Sequence, residues 1–372
     1  MLLSIYIIAP TSKSMAYNLI LAGSSLILAA FVSLTLQVFY FSPIDPLPLH
    51  ILPSSSSSKN NQLQKVIKLG EGELKDPEDV CVDKEGTLYT ATRDGWIKRM
   101  HRNGIWENWK HIDSHTLLGI TTTKGGIIVC DTIKGLLKVT EDGVSVLVSY
   151  VNGSQLSFAD DVIEASDGSV YFSVASTKFG LHNWHLDVLE ARPHGQLLKY
   201  NPTSNEIDIV LDNLAFANGV ALSKDEDYLV ICESWKFRCL RYWLEGMNKG
   251  KTDIFIENLP GGPDNINLAP DGSFWIALIQ VCPKGLEFVH TSKVAKLLLA
   301  SSPRLFSLIN VANKKATVVK VTTDGKIIQR FDDNNGKVVR FVTSALEFED
   351  HLYLGSLSSN FVGKLPLHNT SN

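Results

Sequence analysis

The hydrophobic pattern changes character once along the chain. Between Ser14 and Ile44 there is no charged residue, and the apolar stretch Leu19–Phe41 is long enough to cross the ~30 Å core of a bilayer as a helix. It is longer than the apolar core of most cleaved signal peptides, and no small-residue cleavage site precedes the polar stretch that follows. Residues 19–41 therefore read as a retained signal anchor, with cleavage as the alternative. Lys13 before the segment and Asp45 after it place residues 1–18 in the cytosol and the rest in the lumen. Residues 42–63, with the run Pro53–Ser58, read as a flexible stalk.

From Gln64 onward the pattern has the short period of strands, and one phrase recurs: a polar pair, alternating apolar residues, an Asp-Gly-like turn, then another apolar strand. The copies open at Pro77, Leu118, Phe158, Phe216, Gly262 and Thr343. Most spacings are near the ~40 residues that one four-stranded blade consumes. Six copies predict an all-β fold, a six-bladed β-propeller over residues 64–368, with a tail at 369–372. A β-sandwich is the competing fold. Two spacings are longer, through insertions at Lys178–His194 and between Ile279 and Val319, the second holding the helix-compatible stretch Val294–Leu308. Long insertions in a repeat array gather on one face, so a lid and substrate entrance are expected there.

Composition narrows the function. With 35 Lys and Arg against 39 Asp and Glu, the chain has no basic excess for phosphate backbones, which argues against nucleic acid. The five cysteines are too scattered for a disulfide scaffold and none has paired metal-ligand spacing. Cys232 and Cys239 flank a turn at Trp235 and Lys236 and are candidates for one cross-strand disulfide in an oxidising lumen. Asn152 and Asn369 head glycosylation sequons, relevant only to a luminal domain. His182, His185 and His194 lack a third ligand at zinc spacing and are expected to shape an insertion. Trp235 and Trp243 are expected to pack within a blade.

In a propeller the innermost strands line the central channel, so the polar residues that open the phrases converge near the axis. Glu78, Asp160, Asn218, Asp264 and Asn265 are all oxygen donors, the chemistry that suits a hard divalent cation such as Ca²⁺. The competing reading is that these residues cap strand starts by bonding local backbone.

The blocks Phe216-Ala-Asn-Gly-Val, Gly262-Pro-Asp-Asn-Ile, Leu189–Tyr200 and His351-Leu-Tyr-Leu-Gly-Ser356 resemble those of the plant strictosidine synthase-like proteins and the animal adipocyte plasma membrane-associated proteins. The resemblance spans Val66–Leu367 and the anchor, and extends more distantly to paraoxonases, gluconolactonases and regucalcins. In those metal-dependent hydrolases it implies a catalytic divalent ion held at Glu78, Asp160, Asn218, Asp264 and Asn265, with Asp160 standing where the family usually has Asn.

Two departures limit what carries over. Strictosidine synthase uses a glutamate at the start of the sixth blade to condense tryptamine with secologanin, and Thr343 stands there; its hydroxyl does not titrate near neutral pH. The paraoxonase histidine pair is absent, with Asp131 near the place of the first histidine and Gly153 near the second, so Asp131 is the candidate base. The reading is a single-pass membrane protein of the endoplasmic reticulum or vacuole whose luminal propeller hydrolyses a small-molecule ester or lactone. A condensing enzyme of alkaloid synthesis and a non-catalytic luminal binding protein are the rivals.

Overall fold

The structure, a computed structural model, describes residues 12–48, 60–279, 288–310 and 315–367. The apolar segment forms one helix, Ser12–Phe39 (α1), of which Met15–Phe39 is long and apolar enough to cross a membrane. Its side chains point outward almost throughout, as expected of a signal anchor or membrane span.

The rest is a six-bladed β-propeller. Each blade is a four-stranded antiparallel meander, and the innermost strands are Pro77–Val82, Leu117–Thr123, Ala159–Glu164, Ala217–Leu222, Gly262–Leu268 and Val342–Phe348. Each inner strand packs on the next, and the sixth returns to the first. The sixth blade takes its outermost strand from the other end of the chain: Ile67–Leu69 pairs antiparallel with Val362–Pro366, Lys68 opposite Gly363. Closure therefore joins the two ends of the domain by backbone hydrogen bonds.

Blade faces are apolar and cannot be buried within a blade. The six hydrophobic clusters each lie where neighbouring blades meet, and the one between blades two and three continues into the insertions. Those insertions are helical: Trp184–Glu190 (α2), Lys293–Ala300 (α3) and Pro303–Asn310 (α4). They meet through aromatic contacts, with Trp184 and His185 at 5.7 and 5.6 Å from the Phe306 ring.

The stretch expected to be a stalk is packed at both described ends. Asn60 and Gln64 bond to the Arg330–Asn335 region of blade five, and Leu63 is fully buried, so packing on the propeller includes residues ahead of Gln64. After the anchor, Ile44 is buried in the insertion cluster, Asp45 lies 3.5 Å from Arg192, and Lys296 Nζ donates to the Leu47 carbonyl at 2.9 Å. The run Pro53–Ser58 lies outside the described residues. Cys232 and Cys239 are paired across their hairpin and joined as a disulfide, with Cα atoms 4.0 Å apart. Asn152 is exposed on a turn, with φ 49°, while Asn369 and Cys282 lie outside the described residues.

Candidate functional site

All six inner strands carry a β-bulge at the recurring phrase, where the register slips between Pro77 and Asp79, Leu117 and Ile120, Ala159 and Val162, Ala217 and Val220, Pro263 and Ile266, and Val342 and Ser344. A bulge re-aims side chains, and here it splits each pair into two tasks. The first residues, Glu78, Leu118, Asp160, Asn218 and Asp264, line one cavity of about 330 Å³. The second residues serve the ring. Asp79 Oδ2 accepts from the Ile120 amide of blade two at 2.9 Å, and Asp161 Oδ2 from the Val220 amide of blade four at 2.8 Å. Their partners need room: a Cβ on Gly119 would stand 2.5 Å from Asp161 Cα, and one on Gly219 2.3 Å from the Asp264 carbonyl oxygen.

Asn265, the remaining predicted ligand, is not on the cavity wall. Its Nδ2 donates to Glu78 Oε1 at 2.9 Å and so orients that carboxylate, while its own Oδ1 has no partner. Glu78 Oε2 and Asn218 Oδ1 are likewise buried and unpartnered. Two orphaned oxygens on the cavity lining, with a third on Asn265 behind Glu78, is a costly arrangement without a donor or cation to meet them. Burial pushes the Glu78, Asp160 and Asp264 carboxyls upward, Asp264 to about 8, and the mutual repulsion of these acids adds to the effect. Among the described residues, no three His, Cys, Asp or Glu side chains are grouped to hold a metal by themselves. A cation here would depend on the amide oxygens of Asn218 and Asn265 as much as on carboxylates, and that mixed oxygen set fits Ca²⁺.

Aromatic residues form the wall above this floor. Phe158, Phe216 and Phe341 each stand immediately before an inner strand with positive φ, 67°, 62° and 46°. That conformation costs on the order of 1–3 kcal/mol for a non-glycine residue and is held only where packing fixes it. All three line the cavity. Trp235 does too, contrary to its expected role inside a blade, because it lies on the one-turn helix Ser234–Lys236 beyond the strand end. It packs at 4.4 Å on Phe216 and donates its indole N–H to Asp187 Oδ1 at 2.8 Å. Trp243 stays in its blade, bonded to Asp253. From the first insertion, Leu181 and Trp184 complete the wall.

The candidate base is elsewhere. Asp131 is buried but does not line the cavity; its Oδ1 accepts from the Ile133 and Lys134 amides, both at 2.8 Å, and lies 3.6 Å from His115. These bonds shape the turn after its strand. Thr343 also turns away, its hydroxyl donating to the Glu78 carbonyl at 2.6 Å. His194 contacts Glu190 at 3.1 Å and His185 packs at a tilt against Phe306, roles internal to the insertions.

Comparison with known proteins agrees with this fold. A strictosidine synthase family profile matches residues 160–247, and one for the N-terminal part of strictosidine synthase-like proteins matches 58–100. The Arabidopsis thaliana protein strictosidine synthase-like 4 is 31% identical, over 92% of this chain and 94% of its own. The chain belongs to the strictosidine synthase-like family. The Bos taurus adipocyte plasma membrane-associated protein is 30% identical over 92% of this chain and 90% of its own. Among solved structures, this strictosidine synthase-like propeller is similar to a gluconolactonase from Xanthomonas campestris, with TM-score 0.58 and 14% identity over 86% of this chain and 96% of that one. It is also similar to regucalcin of Agrobacterium tumefaciens, a calcium-binding protein, with TM-score 0.51 and 12% identity over 85% and 95% of the two chains. At such identities the structural likeness establishes the fold alone.

Proposed function

We propose that this strictosidine synthase-like protein is a metal-dependent hydrolase of an ester or lactone, held at a membrane by α1 with its propeller in the lumen of the endoplasmic reticulum or vacuole. The observation that carries the reading is the pair of buried, unpartnered oxygens on Glu78 and Asn218, beside Asp160 and Asp264 on the lining of one cavity, with a third on Asn265, which bonds Glu78 from behind the wall. A divalent cation held by these five residues would supply Lewis-acid polarisation of a carbonyl. The chain's own part is to place the substrate and to keep bulk water out. Phe158, Phe216 and Trp235 present a dry wall, Asp187 fixes Trp235, and Trp184 covers the approach. Asn265 holds Glu78 in one orientation, so the floor is organised before substrate arrives. Burial pushes the three carboxyls facing the cavity, Glu78, Asp160 and Asp264, upward, Asp264 to about 8. Likeness in fold to a gluconolactonase and to a calcium-binding regucalcin supports the reading. The exposed Asn152 sequon and the Cys232–Cys239 pair support a luminal domain. The test is hydrolysis of phenyl acetate and of δ-valerolactone by the full chain, with calcium and with chelator. Turnover lost to chelator and restored by calcium is expected; no turnover under either condition sinks the hydrolase and favours a binding protein.

A further inference from the structure

The mouth of the cavity is electrically opposite to its floor. Arg93, on the turn after the second strand of blade one, and Arg340, just before the inner strand of blade six, both line it. Ring closure makes those blades neighbours, so Arg93 and Arg340 reach the cavity from adjoining blades. The aromatic wall of Phe158, Phe216 and Trp235 comes from blades three and four, with Trp184 from the insertion above it.

The state of these arginines sets them apart. Arg99, Arg102, Arg192, Arg238, Arg241 and Arg330 each lie within ion-pair distance of a carboxylate. Among the described residues Arg93, Arg304 and Arg340 have no such partner, and two of these three face this cavity. Arg340 uses Nε on the Gly336 carbonyl at 2.8 Å, which leaves its terminal nitrogens free. Asp76 is the acid that feels Arg93, and it is held as a neighbour in the field rather than as a bonded partner. Free guanidiniums present paired donors that match a planar carboxylate, a match that an ammonium does not make.

We infer that Arg93 and Arg340 form a subsite for a carboxylate, and that the substrate is an amphipathic monoanion whose apolar body lies against the aromatic wall. The subsite rests on the reading of this cavity as the substrate site. A monoanion is favoured over a dianionic phosphate because Glu78, Asp160 and Asp264 below it repel each added negative charge. The carboxylate held at the mouth leaves the ester or lactone group free to reach the floor.

Binding separates this inference from hydrolysis, since it needs no turnover. The full chain in lipid nanodiscs is titrated with 4-phenylbutyrate and with its neutral amide, with and without calcium, by calorimetry. The wild-type protein should bind the carboxylate at least about tenfold more tightly, the size of one good charge-assisted contact. The double substitution Arg93→Met with Arg340→Met should bring the two probes to equal affinity, and Arg93→Lys with Arg340→Lys should retain part of the preference. Equal binding of acid and amide by the wild-type protein overturns the subsite. So does a preference that survives the double Met substitution, and one that survives it only with calcium assigns the carboxylate to the floor instead. Melting temperatures of all variants establish that the fold is kept.

Discussion

Asp187 Oδ1 accepts the indole N–H of Trp235 at 2.8 Å, joining an insertion helix to the wall of the cavity. Both residues are buried, and Asp187 Oδ2 has no partner. Burial pushes this carboxyl from 3.8 to about 6, against the opposing effect of its bonds to Ser176 and Trp235. A raised folded-state pKa favours the protonated form, so the stabilisation is complete below pH ~4, declines as pH rises to ~6, and is gone above that. Two units correspond to roughly 3 kcal/mol at most. Asp187→Asn keeps an acceptor for Trp235 and cannot ionise. The difference in unfolding free energy, variant minus wild type, should rise between pH 4 and 6 and then level. A flat difference across that range would remove the ionisation from the account. Asp187→Ala leaves the indole unpartnered and should cost about 1–3 kcal/mol at every pH.

What the sequence disclosed here follows from its repeats. Glu78, Asp160, Asn218 and Asp264 open successive copies of one phrase, so a period alone brings them to one axis. The same phrase carries a second pattern: Asp79 and Asp161 alternate with Gly119 and Gly219, and each acid reaches an amide beside the following glycine. Phe158 and Phe216 were visible as the first letter of two copies. Their left-handed backbone, which swings the rings over the floor, is imposed by tertiary packing and has no sequence mark for a phenylalanine. Arg93 and Arg340 are distant in the chain and become neighbours only when the ring closes.

Asp131 shows how position in the sequence and contacts in the fold can point to different roles. Its place near a relative's histidine suggested a base, but its Oδ1 is engaged by two backbone amides in the turn that follows. Asp131→Ala should therefore lower stability by about 1–3 kcal/mol. Ester turnover, measured well below the melting temperature, should stay within about twofold of wild type, since no transition-state contact is removed. A hundredfold loss of kcat with an unchanged melting temperature would return Asp131 to the mechanism.

Thr343, which the sequence reading sets against the condensing glutamate, donates its hydroxyl hydrogen bond to the Glu78 carbonyl. It thus ties blade six to blade one and offers no titrating group to the cavity. Incubation of the full chain with tryptamine and secologanin should yield no strictosidine above a buffer blank, by mass spectrometry. Product at a rate that scales with protein would mean that another acid serves the condensation, and the rival reading would replace hydrolysis.

The floor supplies the most direct thermodynamic test. Glu78, Asp160 and Asp264 are acids buried together, so in chelator they stay folded only by holding protons or by bearing mutual repulsion. A cation bound to the native state alone stabilises it by RT ln(1 + [L]/Kd), about 2.7 kcal/mol at a hundredfold excess over Kd. Calcium should accordingly raise the melting temperature of the wild-type chain by several degrees. Asp264→Ala should abolish the rise, because it removes both a carboxylate and the partner of the Asn218 amide. Asp264→Asn, which keeps an oxygen but no charge, should retain a smaller rise at higher calcium. Asp187→Asn, remote from the floor, should retain all of it. If calcium, magnesium and manganese each leave the wild-type melting temperature unchanged, and elemental analysis of the purified chain finds no bound metal, then the orphaned oxygens of Glu78, Asn218 and Asn265 are met by water, and the hydrolase mechanism loses its electrophile.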